Sequence, residues 1–145
     1  MKGLIIMLLV ACSSLNMYGQ AQNNDSVRVG VFEESTLPDS FDGGLGYFYL
    51  SDKAKQDGQY VFVFDLGTSL AVVLDGNFLV LPMVKSDGKQ DNMVFQNNDY
   101  RVKVSIESRG DGGYESSTYT GYAVVESLKK GIRTSRIRFV GECSM

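Results

Sequence analysis

Few side chains in this 145-residue chain have the types and spacing to do chemistry. There is no histidine, which excludes Ser-His-Asp and Cys-His catalysis as well as His-ligated zinc. The two cysteines, Cys12 and Cys143, do not make a thiolate metal site by themselves. Neither a G-x-x-x-x-G-K phosphate loop nor a dinucleotide fingerprint is present. Carboxylate-pair hydrolysis needs only two acids that meet in space, but the acids here stand mostly in loops beside glycine, where Asp forms turns. Asp39 with Asp42-Gly43, and Asp87 with Asp91, are calcium-ligand types without the spacing or closing Glu of an EF-hand loop; solvated loops account for them. Arg109-Gly110-Asp111 is an integrin-type tripeptide that reads as a turn in a Gly-rich loop. Lys129, Lys130, Arg133, Arg136 and Arg138 could hold an acidic partner, and an outward polar strand face explains the same residues. No catalytic, cofactor or metal residue is assigned, and a non-enzymatic protein is expected.

Cys12 belongs to a different chemistry. Residues 1–20 read as an export leader: Lys2 supplies the positive start, residues 3–11 an apolar stretch too short to span a bilayer, and small and polar residues follow. Cleavage near Gly19 or Ala21 would release a soluble domain. Alternatively Leu9-Val10-Ala11-Cys12 is a lipobox, in which Cys12 is acylated and residues 13–24 tether the domain to a membrane. On either reading Cys12 is lost to the fold, and Cys143 is left to end the last strand as a small apolar residue, to react, or to pair with another chain. The expected location is the periplasm or the outer membrane.

The leader carries Lys2, so its removal leaves 13 basic side chains, from 14, against 17 acidic ones. A mildly acidic chain has no electrostatic case for nucleic acid or an anionic membrane surface; membrane contact would come only through a lipid on Cys12. Residues 21–145 suffice for one domain that buries roughly two-thirds of its extended surface.

The elements that must position any site are strands. Residues 59–84 carry three apolar runs, 60–65, 69–74 and 77–81, the last two joined by Asp75-Gly76. Asp-Gly between β-rich runs signals a type I′ hairpin turn, with positive φ at both positions. Tyr60, Phe62 and Phe64 are expected on one face, with Val61, Val63 and Leu66 opposite. Leu70, Val72 and Leu74 oppose Ala71 and Val73; Phe78 and Val80 oppose Leu79 and Leu81. Both faces are apolar, and each large side chain left in water forgoes roughly 1.5–3 kcal/mol. A second layer must therefore cover the meander: the chain's own N-terminal segment or loops, a second copy or protein partner, or an apolar ligand inside a barrel.

Around that core, residues 27–32 and 45–50 read as strands with a loop at 33–44. Ser51 caps either one helical turn ended by Gly58 or a loop. Pro82 is expected to end the third run. A short strand follows at 93–96, then the cleanest alternation in the chain, residues 100–107, with Tyr100, Val102, Val104 and Ile106 inward. Residues 108–116 read as a loop, 117–126 as a strand, 127–131 as a hairpin loop and 132–140 as the last strand, with Ile137 and Phe139 inward. The fold class is all-β: an antiparallel sandwich or closed barrel of about eight strands in a single domain.

Two resemblances attach to these residues. G-G-L-G-Y-F-Y-L-S (residues 43–51), S-L-A-V-V-L-D-G-N-F-L-V-L (69–81) and the closing V-G-E-C (140–143) together resemble a family of exported bacterial proteins of unknown activity. That family's early cysteines are absent, since Leu45 and Tyr47 stand where one would fall, so a disulfide from there to Cys143 is lost. A-V-V-L-D-G-N-F-L-V-L followed by Ser86-Asp87-Gly88 is similar to the C-type lysozyme-inhibitor family, exported β-barrels that block a lysozyme cleft with a loop Ser and a Lys. That resemblance implies partner-binding roles for Ser86 and for Lys89 or Lys103; the family's Arg-Tyr after the glycine and its later Lys-Gly-x-Glu-Ala are not here. The expected function is an exported binding or envelope-associated domain, with lysozyme inhibition or carriage of a small apolar ligand as alternatives.

Overall fold

The Asp75-Gly76 turn forms as expected, with φ of 49° and 83° at its two central residues. It joins the middle of a meander that closes on itself. The structure, a computed structural model, describes residues 26–41, 45–65, 68–113 and 116–144. Cys12, Asp42, Gly43 and Leu66, and with them the leader, fall outside the described residues.

The elements in order are β1 (Val29–Gly30), a 3-10 turn (Glu34–Thr36), β2 (Leu45–Tyr49), α1 (Asp52–Gln56), β3 (Phe62–Asp65), β4 (Ser69–Leu74), β5 (Asn77–Ser86), β6 (Asn92–Gln96), β7 (Tyr100–Gly113), β8 (Ser116–Ser127), β9 (Ile132–Arg133) and β10 (Ile137–Ser144). From β2 to β8 each strand pairs antiparallel with the next in the chain, β8 pairs with β10, and β10 returns to β2. The result is a closed eight-stranded up-and-down barrel in which each of these strands has a neighbour on both sides, with β1 added on β4 and β9 on β8.

Closure puts one side of every strand indoors. Phe62, Phe95, Leu70, Leu81, Val102 and Val125 have almost no exposed surface. Phe48 and Phe139 meet edge to face with ring centroids 4.8 Å apart. Their bulk fits because the neighbouring strands offer no side chain: a Cβ on Gly141 would lie 2.7 Å from Phe48 Cε1, and one on Gly121 2.9 Å from Phe139 Cζ.

The other face of the meander is covered by the chain itself. Val63 and Ala71 point out of the barrel yet have no exposed surface, because Phe32 and Phe41 pack on them, with Leu37 half-buried alongside. The segment 32–41 is a strap over β2, β3 and β4. β1 anchors it, pairing Val29 with Leu74 and Gly30 with Val73 just past the point where β3 leaves β4. Phe32 then exchanges backbone hydrogen bonds with Tyr60 at 2.9 and 2.8 Å.

Several expectations need correction. The strand expected over 27–32 shrinks to β1 and the Phe32–Tyr60 bridge. Tyr60 lies on the outer face with Val63, whereas Val61 and Phe62 both join the interior. The alternation breaks because Tyr60 pairs with the strap while Val61, in a bend, donates to the Phe48 carbonyl. Pro82 does not end its strand. Pairing with β6 starts one residue later, at Met83, so the missing N–H costs no ladder bond. Residues 108–113 are strand, not loop, held in register against β8 from Ser108↔Thr120 to Gly113↔Ser116. The strand expected over 132–140 is interrupted: three residues, 134–136, oppose two on β8, which is a bulge. Ser51 does cap a helical turn, its Oγ accepting the Ala54 N–H at 3.1 Å, and Gly58 ends it at φ 66°.

Candidate functional site

Ser86 and Lys89 flank the connection from β5 to β6. Ser86 Oγ donates to the Asp87 carbonyl at 2.9 Å. The Asp87 carboxylate accepts the Asp91 and Asn92 N–H groups at 2.8 and 3.1 Å and Asn92 Nδ2 at 2.9 Å. The Asn92 side-chain bond above all holds its carboxyl below the ordinary range. Arg109 reaches in from β7: Nε and Nη2 donate to Asp91 Oδ1 at 3.0 and 2.6 Å, and Nη2 to the Lys89 carbonyl at 3.0 Å. The loop is thus held on two sides, with Ser86 and Lys89 exposed. Asp87 and Asp91 spend their carboxylates on these bonds, and no cluster of three metal-ligating side chains occurs among the described residues.

Arg109-Gly110-Asp111 is not a turn. It lies in β7 opposite Tyr119, Thr118 and Ser117, and the Arg109 guanidinium sits 5.2 Å from the Tyr119 ring centroid.

The same Arg109 and Tyr119, with Cys143, Phe48, Phe64 and Met93, line a cavity of about 40 Å³ at this end of the barrel. That is room for a few waters at most. Burial pushes the buried Cys143 thiol up, against an opposing hydrogen bond with Tyr119. A thiol kept protonated is a poor nucleophile; Cys143 lies buried in β10, opposite Gly46 of β2 and Ser117 of β8.

A different surface lies across the outside of β6, β7, β8 and β9. An open groove of about 520 Å³ has Tyr122 and Val124 on its floor, and Lys103, Arg133 and Arg136 along its walls. A second groove of about 250 Å³ shares Lys103 and Ser105 with it and extends the surface to Lys85 and Val94. The bulge at 134–136 shapes this trough: the Thr134 N–H donates to the Val125 carbonyl at 2.8 Å, and Thr134 Oγ1 accepts the Val125 N–H at 3.1 Å. The Arg136 guanidinium stacks 4.3 Å from the Tyr122 centroid.

The charges around it are unevenly satisfied. Glu126 binds Arg101 at 3.1 Å and Lys103 at 3.2 Å. Burial works to raise its carboxyl, but the two cations outweigh it and hold it below the ordinary range. Arg138 is paired with Glu107 at 2.6 Å and Lys129 with Asp99 at 2.9 Å. Arg133, Arg136 and Lys85 are exposed and enter no ion pair among the described residues. The basic set is therefore divided, and only Arg133 and Arg136 of it line the groove. Nothing in the sequence marks Tyr122 and Val124 as floor residues, since they read simply as part of the β8 strand. The clean alternation over 100–107 puts Lys103 and Ser105 outdoors, but nothing local announces the bulge that carries Arg133 and Arg136 to the same place.

No family model, no curated protein and no solved structure matches the chain.

Proposed function

We propose that the chain is an exported, non-enzymatic binding module that engages a protein partner at the bacterial envelope through the outside of a filled barrel. The observation that carries this reading is the packing of the interior. Phe62, Phe95, Leu70 and Leu81 fill it with side chains that have almost no exposed surface, and the space beside Cys143 at its end is about 40 Å³; drug-sized ligands occupy roughly 300–1,000 Å³. The same packing weighs against carriage of an apolar ligand. The leader pattern of residues 1–20 supports export, with Cys12 the residue that would carry a lipid anchor. Covalent cross-linking of the protein in intact cells, followed by identification of what it captures, tests the reading. A reproducible envelope protein, recovered with the native barrel and not with the heat-unfolded chain, is expected. Recovery of the chain alone, or retention of the protein in the cytosol, overturns it.

A second reading is favoured by one observation: Ser86, at the end of β5, and Lys89, in the loop that follows it, stand exposed where Asp87 and Arg109 hold the chain in place. That is the presentation a cleft-blocking inhibitor of a lysozyme requires. The protein should then slow a C-type lysozyme on cell-wall substrate, and Ser86→Ala with Lys89→Ala should abolish the effect. Undiminished lysozyme turnover in excess protein removes this reading.

A further inference from the structure

We infer that the trough across β6, β7, β8 and β9 is the partner-binding surface, and that it takes an acidic, partly apolar peptide segment of that partner. This rests on the binding-module reading and deepens it.

The first argument is charge. A chain with more acidic than basic residues gathers Lys85, Lys103, Arg133 and Arg136 along one continuous pair of grooves. Arg133, Arg136 and Lys85 have no carboxylate partner among the described residues, and all three are exposed. Planar guanidinium groups bind carboxylates through paired N–H donors. Arg136 is also pre-positioned by its stack on Tyr122, which lowers the entropy lost on binding.

The second argument is shape. Between the cations the floor is Tyr122 and Val124, with Val94 in the adjoining groove. A ligand that is charged everywhere would leave this apolar floor without a complement. Glu126, paired with Lys103, and Asp87 in the adjoining groove repel a long uniform polyanion. An extended peptide alternating acidic and apolar side chains satisfies both features, because successive side chains point to opposite sides. The opposite side of the barrel is already covered by the strap, whereas the trough is open.

The test uses the full chain, expressed with its leader and purified. The probe is a short fluorescein-labelled peptide of alternating Glu and Val, followed by anisotropy and by amide shifts of the labelled protein. Binding is expected to weaken as salt is raised, since charges are screened over about 8 Å at physiological ionic strength. It should be weaker for polyglutamate and undetectable for the Gln-Val counterpart. Arg133→Glu with Arg136→Glu should cost roughly tenfold or more in affinity, while Lys53→Glu with Arg28→Glu, the same charge change on exposed residues away from the trough, should cost less than about twofold. Should the double reversal fail to fold, Arg133→Gln and Arg136→Gln singly must give the same ordering. Shifts should centre on residues 103–105, 122–124 and 133–136. Tighter binding to dextran sulfate or single-stranded DNA than to the peptide overturns the assignment, as do shifts elsewhere, equal loss in both double variants, or no binding. If the cross-linked partner is captured equally by the Arg133→Glu, Arg136→Glu protein, the trough is wrong and the binding-module reading stands. If the peptide behaves as expected while no envelope partner is ever captured, the trough stands and the module reading falls.

Discussion

Arg109 on β7 donates to one oxygen of Asp91 through both Nε and Nη2, at 3.0 and 2.6 Å, and so ties the middle of the longest hairpin to the loop between β5 and β6. Both partners are partly exposed, so the pair contributes modestly. Arg109→Ala should cost about 0.5–1 kcal/mol and loosen the loop more than the barrel. Faster amide exchange over residues 87–92, with the interior strands unchanged, is the expected result. Uniform exchange across the chain would show that Arg109 supports the fold globally instead.

Gly141 and Gly121 make room for Phe48 and Phe139. Alanine at either should destabilise by roughly 1–3 kcal/mol. The effect should be larger at Gly121, where the added methyl also meets the Ser105 carbonyl and Ile106 Cα, neither of which can swing aside. Gly88→Ala, with nothing within 4 Å, is the control and should be close to neutral. Urea midpoints of the three variants check the order.

The strap stands or falls with its two rings. Phe32 meets Tyr60 and Phe78 edge to face, with centroids 6.0 and 5.4 Å apart, and Phe41 is buried on the same face. Phe32→Ala and Phe41→Ala should each cost about 3 kcal/mol. Together they should uncover Val63 and Ala71, which would raise binding of a hydrophobic dye while strand circular dichroism persists. Dye binding unchanged from wild type would show that the strap does not cover that face in solution.

Acid should weaken the barrel. Burial acts to raise the carboxyls of Glu126 and Asp75, but hydrogen bonds and cations outweigh it and leave both below the ordinary range. For Glu126 these are Lys103 and Arg101; for Asp75 they are the Arg28 N–H, Tyr100 and Lys130. The unfolded chain therefore binds more protons than the folded one near pH 4. The stability these groups contribute is present above the ordinary carboxylate pKa of about 4 and is lost as pH falls through the lower folded values. The urea midpoint should drop between about pH 5 and pH 3, and Glu126→Gln should flatten that slope. A slope identical in the variant assigns the effect to other groups.

Alkali reaches the barrel through Tyr100. Its hydroxyl donates to Asp75 Oδ2 at 2.7 Å; burial first, and this bond second, push the phenol up to about 12. The contribution is full below the ordinary phenol value near 10 and fades as pH rises toward the folded one. Tyr100→Phe should cost about 1–2 kcal/mol at neutral pH and remove one late-ionising tyrosine from a tyrosinate absorbance titration. Tyr49, also raised, by burial and by Glu142, should remain as a late-titrating group.

What the amino acids alone determine here is local. Alternation over 100–107, the β-rich runs flanking Asp75-Gly76 and the lack of histidine settle an antiparallel all-β chain without His-based catalysis. They also require that the two-sided apolar meander be covered, since exposed Val63 and Ala71 would forgo burial. Which cover is used, and whether the sheet closes, is decided by pairings between residues far apart. Tyr49 and Glu142, 93 positions apart, meet across the β2–β10 seam with a 3.2 Å hydrogen bond. Periodicity reports which side of a strand is apolar but not which strand lies beside it. Hence the strap, by taking the Tyr60 backbone, overrides the alternation there, and the β8 ladder makes a strand of residues 108–113, whose own composition is that of a loop. The trough has the same origin: one extra residue in the chain between β9 and β10 carries Arg133 and Arg136 to Tyr122, and a bulge is fixed by the register on both of its sides, not by the residues within it.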